Sequence, residues 1–341
     1  MLETIWFALW ALLWAVYFVL DGFDLGLGAL MPFIADNETE RRIIYNASGP
    51  FWDGNEVWLI AAGGVTFAAF PRAYAVMFSA LYAPLLLLLF ALILRAVSYE
   101  FRNKVDAQGW RRFWDGVHYT VNLAACVLLG VFFANLFKGI PVSADGVYHG
   151  NILRLLNPYG LVGGLLFLAV FVMHGAIWLA LKSRGRLQIH AVGAAGLAWP
   201  CAFGLLCVFL VLTFFYTGIY GNYLARPYLL IIPAIAITAL LAVPHFLGLA
   251  KYWCAWWSSA VFIVGFTFFG VCGIYPDMII SSIAQDATIT AFNGASTTLT
   301  LEIMLGVALV MVPIVLIYQF WMYRLFSHPV TEEVVNDKHA Y

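Results

Sequence analysis

Nine stretches of apolar sequence, each long enough to cross a bilayer, follow one another with little polar chain between them. A membrane-crossing helix needs about 20 mostly apolar residues, with a range of roughly 17–25. The stretches fall at about 5–34, 51–70, 74–97, 115–137, 159–181, 188–216, 228–249, 255–276 and 300–325. The second is the weakest, because Trp58–Phe70 alone is too short and needs "FWDGNE" as part of the helix. Only "PRAY" separates it from the third, which implies a tight hairpin. Composition agrees: 64% of the 341 residues are hydrophobic, 10% are charged and mean hydropathy is +0.90. Soluble domains carry about 25% charged residues. The expectation is an all-α integral membrane protein, one polytopic domain over 1–341.

Loops between successive spans alternate sides, so the basic residues test the count. One side receives Arg41, Arg42, Arg95, Arg102, Lys104, Arg111, Arg112, Lys182, Arg184, Arg186, Lys251, Arg324 and Lys338. Only Arg72, Lys138, Arg154 and Arg226 of the 17 basic residues fall opposite. By the positive-inside rule the N-terminus is outside and the C-terminus cytoplasmic. Segments between spans, such as 98–114 and 138–158, are too short for separate domains, and the tail "HPVTEEVVNDKHAY" reads as polar and frayed. Thirteen Trp and 17 Tyr suit two membrane interfaces. The net charge of −1 gives no footprint for nucleic acid.

The N-terminal run lacks a basic region before it and passes into "DGFDLGLGALMPFI", so no cleavable signal peptide is expected. Cys126, Cys201, Cys207, Cys254 and Cys272 lie in or beside apolar runs without a CxxC pair. They read as buried thiols, not as a disulfide framework or zinc site. Gly22 and Gly26 are spaced for close helix packing.

Charges inside the spans are the informative residues, since each costs about 2.5–3.5 kcal/mol even on a lenient scale. "VLDGFDLGLG" places Asp21 and Asp24 three apart, on neighbouring parts of one helical face. Ten uncharged residues follow Asp24 to Ile34, on the order of 15 Å of helix. The topology brings Trp52, Asp53 and Glu56 of the second span, and Arg95 of "LILRAVSYEF", to similar depths near the cytoplasmic side. A snorkelling arginine with interfacial acids is one reading, and a structural Asp–Arg pair another. A proton route is the sharper one, because intramembrane carboxylates form proton relays. His174 and His245 lie within spans, His118 and His190 near span ends. No repeated His spacing supports haem ligation, so hydrogen-bonded core histidines are expected.

The motifs "DGFDLGLGAL", "TERRIIYNASGPFWDGNEVWLIAAGG", "FAAFPRAYAVMFSALY" and "LNPYGLVGG" resemble subunit II of cytochrome bd-type quinol oxidases. The likeness is dense over roughly the first 180 residues and looser through "NGASTTLTLEIMLGVALVMVPIVLIYQFW". It implies two four-helix bundles plus a peripheral helix, in a respiratory oxidase of the bacterial cytoplasmic membrane. That enzyme oxidises quinol and reduces dioxygen to water. Two b-type haems and one haem d belong to subunit I, and one or more small single-helix subunits complete the complex. Some relatives also hold a structural quinone in subunit II.

By the same resemblance, Asp53 matches an aspartate on a proton entry route, and Trp52 with it supports haem assembly in the partner. Asp24 and Arg95 match charged positions of the same inner cluster. Relatives read Trp-Asp-Gly-Asn-Gln where this chain has Glu56. Glu56 is either a second proton carrier or a solvated acid at a helix start, the latter favoured by the helix dipole. The rival classes are a secondary transporter or channel lined by Asp21, Asp24 and Arg95, and a passive assembly subunit.

Overall fold

The computed structural model describes residues 1–331. Lys338 and most of the polar tail lie outside the described residues. The start of the tail is docked, with the Val330 N–H donating to the Lys182 carbonyl at 2.8 Å.

The chain runs through α1 (Leu2–Ile34), α2 (Glu38–Ser48), α3 (Trp52–Ala69), α4 (Pro71–Ala80), α5 (Tyr82–Phe101), α6 (Gln108–Lys138) and α7 (Ile152–Leu155). It continues through α8 (Pro158–Lys182), α9 (Gly185–Tyr216), α10 (Ile219–Ala225), α11 (Ile231–Gly248), α12 (Tyr252–Ile274) and α13 (Thr298–Leu325). Local chemistry sets several starts. Asn37 caps α2 by accepting from the Glu40 N–H, and Glu38 and Glu40 in its first turn suit the dipole. Asn157 caps α8 with Pro158 at the first helical position, where no N–H is missed. Thr297 caps α13.

Eight of the described helices are long and apolar enough to cross a membrane: α1, α5, α6, α8, α9, α11 with its preceding turn, α12 and α13. The expected second span is α3, a helix of 18 residues whose first turns carry Asp53, Asn55 and Glu56, so its composition is not that of a plain crossing helix. The expected third span, 74–97, is two helices broken at Leu81. Pro84 lacks the N–H that would bond the Ala80 carbonyl, so the ladder stops there. The expected loop 98–114 is mostly helix, because α5 runs on to Phe101 and α6 begins at Gln108.

α1 packs against α3, α6, α8 and α12, α8 also holds α6 and α9, and α11 lies on α12. Glycines permit the closest crossing. A Cβ on Gly26 would meet the Phe171 backbone, and one on Gly175 would sit 2.6 Å from the Leu27 nitrogen. Gly22 lies against the Phe171 ring, as the glycine spacing implied. Beside this crossing Phe18 packs edge-on to Phe133 and Phe167, with centroids 5.1 Å apart. α13 touches α1 and α3, and Leu301 is its one buried residue.

The cysteine expectation needs correction. Cys126 is buried, but Cys201, Cys207 and Cys254 are exposed and Cys272 is half-buried; all five are free. A chain whose outer surface is apolar has no need to turn small apolar side chains inward. A β-element also departs from the all-α reading. Strands β1 (Asp277–Ile279) and β2 (Ile289–Thr290) pair antiparallel, and Ile140 bridges to Ser281 beside them. They close the end of the bundle opposite the basic loops.

Candidate functional site

Arg95 organises the interior. Its side chain lies on α5 and is wholly buried, with Nη1 donating to Asp21 Oδ1 at 2.7 Å and Nη2 to Glu56 Oε2 at 2.8 Å. Asp21 of α1 is equally buried, while the Glu56 side chain keeps 23% of its exposure. Glu56 is therefore a partner of the buried arginine and not merely a solvated acid at a helix start. A guanidinium offers five N–H donors in a rigid fork, which suits two carboxylates at once.

Asp24 lies one turn further along α1, fully buried. Its Oδ2 accepts from Asn55 Nδ2 at 2.7 Å, and Oδ1 has no hydrogen-bond partner among the described residues. Asn55 in turn accepts from Tyr323 at 2.8 Å and from Gln319 at 3.3 Å, both on α13. Two carboxyl groups thus share one guanidinium, and a third, that of Asp24, is buried one turn away on α1. They exceed its charge, which leaves room for a proton within the cluster.

Asp53 stands apart. It is exposed and, among the described residues, makes no hydrogen bond or ion pair. It begins an outward stripe on α3 that continues through Val57, Ile60 and Phe67, exposed by 49%, 70% and 60%. Trp52 is half-buried and stacks on Tyr99 with centroids 5.4 Å apart and planes at 5°. Tyr99 shares a 2.8 Å hydrogen bond with Ser48.

A second polar group at the basic end was not singled out from the sequence. Asp115 of α6 accepts from Arg102 at 2.6 Å, from Arg41 at 3.3 Å and from Tyr45 at 3.2 Å. Arg102 also holds Glu38 through both terminal nitrogens. Burial opposes the charge on Arg102, but the bonds to Asp115 and Glu38 outweigh it and hold its pKa above the ordinary value. Burial, then the Asp115 carboxylate, pushes the Tyr45 phenol well above its usual range, so it stays a donor. The available signal was a repeat: "FWDG" stands at 51–54 and again at 113–116.

Of the two histidines within spans, His174 meets the expectation of a hydrogen-bonded core residue and His245 does not, because it lies on the outward face of α11. His174 bonds Ser259 at 2.6 Å through Nδ1 and the Val19 carbonyl at 3.0 Å through Nε2, so both ring nitrogens are engaged. His118 bonds Ser98 at 2.8 Å, and His245 is exposed. Among the described residues no three His, Cys, Asp or Glu are grouped as a metal ion would need.

Fold and site together define a multi-pass helical membrane protein built around a buried ion cluster. The family model described as cytochrome bd terminal oxidase subunit II matches residues 2–326. The chain belongs to that family. It is 31% identical to cytochrome bd-I ubiquinol oxidase subunit 2 of Escherichia coli (strain K12), with 99% of this chain and 98% of the relative covered. It is 34% identical to cytochrome bd ubiquinol oxidase subunit 2 of Bacillus subtilis (strain 168), covering 97% and 98%. A solved structure of bd oxidase from Geobacillus thermodenitrificans contains a chain of similar fold, with a TM-score of 0.79 at 16% identity, covering 95% of this chain and 98% of that one.

Proposed function

We propose that this chain is the subunit without haem ligands of a respiratory quinol:oxygen oxidoreductase in the bacterial cytoplasmic membrane, and that it admits protons from the cytoplasmic side through Asp53. In this reading the complex oxidises quinol and reduces dioxygen to water. Its two b-type haems and haem d sit in subunit I, and small single-helix subunits accompany the pair. α3 completes nine crossings, with the N-terminus outside and the C-terminus in the cytoplasm. α1, α3, α4–α5 and α6 make one four-helix bundle and α8, α9, α11 and α12 the other, in one domain over 1–341, with α13 peripheral. The basic residues gathered at one end support that orientation.

The observation that carries the proton route is the pairing of an outward acid with an inward surplus of acids. Asp53 and Glu56 are neighbours three apart on α3, and Glu56 is bonded to Arg95 and through it to Asp21. A carboxylate on the outward apolar stripe of a membrane helix calls for protein or water against it, which a partner subunit supplies. In this reading Asp53 takes a proton, Glu56 and Arg95 fix its path toward the buried carboxyls of Asp21 and Asp24, and Trp52 holds the helix start against Tyr99.

A structural quinone also has a place. A cavity of about 780 Å³ lies between α1, α11, α12 and α13, apolar along most of its length, with Gln319 and Tyr323 among its walls. Those two side chains would hold a polar head, and Trp256, Trp257 and Phe268 the tail.

The test is a reduced-minus-oxidised visible spectrum of the complex in mild detergent, repeated on the chain expressed alone. Haem b and d bands in the complex, absent from the lone chain, are the expected result. No haem in either preparation would contradict the proposed role in a haem-bearing oxidase.

A further inference from the structure

We propose that Asn55 is the positioning residue of the buried carboxyl, orienting Asp24 so that its exchangeable proton rides on Oδ1, and that Gln319 and Tyr323 of α13 hold Asn55 in that role. This rests on the proposed reading of Asp24 as part of a proton route.

Asn55 is 0% exposed and uses every hydrogen bond an amide can make. Its Nδ2 donates to the Leu20 carbonyl at 3.0 Å and to Asp24 Oδ2 at 2.7 Å. Its Oδ1 accepts from Tyr323 at 2.8 Å and from Gln319 Nε2 at 3.3 Å. Reversing the amide would set its oxygen against the Leu20 carbonyl and its NH₂ against the Gln319 NH₂. The orientation follows from the network and needs no assumption about which atom is nitrogen.

Gln319 is oriented in the same way. Trp58 Nε1, which can only donate, gives its hydrogen to Gln319 Oε1 at 2.7 Å. The Gln319 NH₂ must then face Asn55. A one-way chain of donors results, from Trp58 to Gln319 to Asn55 to Asp24. Successive donors polarise one another, so the last bond is strengthened.

The direction of that chain assigns the proton. Asp24 Oδ2 receives a hydrogen and so carries the lone pair. The carboxyl proton falls to Oδ1, the oxygen without a partner among the described residues. Because Oδ1 is not tied to a fixed partner, it is the oxygen left open to a water or other acceptor, and its proton moves only when such an acceptor comes within hydrogen-bond reach. α13, exposed along nearly all of its length, presents a glutamine and a tyrosine at this one level. A helix serving only as an outer wall needs neither.

The experiment uses the whole complex, with turnover per haem and infrared difference spectra of the protonated carboxyl. The Asp24 band is identified by its loss in Asp24→Asn. In Asn55→Leu that band should move to higher frequency, because its C=O loses a hydrogen bond, and turnover should fall several-fold. Tyr323→Phe and Gln319→Leu should move both in the same direction by less. If Asn55→Leu fails to assemble haem, Tyr323→Phe decides, since it removes a single oxygen. An unmoved band and unchanged turnover in the assembled variants, with turnover lowered in Asp24→Asn, would overturn the role of Asn55 alone. Wild-type turnover in Asp24→Asn would instead remove the proton-route reading on which it rests.

Discussion

The tetrapeptide Phe-Trp-Asp-Gly stands near the start of two helices, and its two aspartates have opposite surroundings. Asp115 is gripped by Arg102 at the end of α5 and by Arg41 and Tyr45 of α2. Asp53 faces outward on α3, with no ion pair among the described residues. The local sequence is the same; the neighbours differ. α2 and the end of α5 bring arginines to Asp115, while the outward face of α3 beyond Asp53 carries Val57, Ile60, Phe67 and glycine, none of them charged. A carboxylate held by three donors is fixed in place, while one without a partner is left open to whatever meets the outward face of α3. The first therefore serves the fold and the second, in our proposal, the reaction.

Substitutions can break this contrast. The largest effect is expected from Asp115→Ala, which leaves the buried Arg102 with Glu38 as its one acidic partner among the described residues. Breaking a buried pair costs about 3–5 kcal/mol, so the thermal midpoint and yield of the assembled complex should both drop. Unaltered thermal stability would mean that Asp115 is not the anchor described. Tyr45→Phe removes one hydrogen bond from the same carboxylate and should cost about 0.5–1.5 kcal/mol, read from the same melting curves, with turnover per haem retained. Glu56→Gln keeps an oxygen for Arg95 and leaves the Asp21–Arg95 pair intact. Oxygen consumption should then change little, and a collapse of turnover would promote Glu56 to a proton carrier in its own right.

Much of the architecture was legible because apolar runs and intramembrane charges are strong signals. Asp21, Asp24 and Arg95 stood out against the apolar residues around them, and the structure gathers them with Glu56. Neutral polar residues carry no such signal. Asn55, Gln319 and Tyr323 raise no insertion penalty large enough to notice, and Tyr323 lies 268 positions along the chain from Asn55. Arg102 and Asp115 sit at helix ends, where a solvated charge is the ordinary expectation, and only tertiary packing buries them. The break at Leu81 was hidden for another reason, since Pro84 lies in a run so apolar that hydropathy reads straight through it. The cysteines misled because burial inside the protein and burial in lipid look alike in sequence.

The most direct test of the central claim is oxygen consumption per haem in the complex carrying Asp53→Asn. The change removes one carboxylate from an exposed position and disturbs no hydrogen bond among the described residues. Our account predicts lower quinol oxidase turnover or a lower haem content, with the thermal stability of the chain unchanged. Wild-type turnover together with full haem spectra would contradict it, leaving Asp53 an outward acid with no part in proton entry.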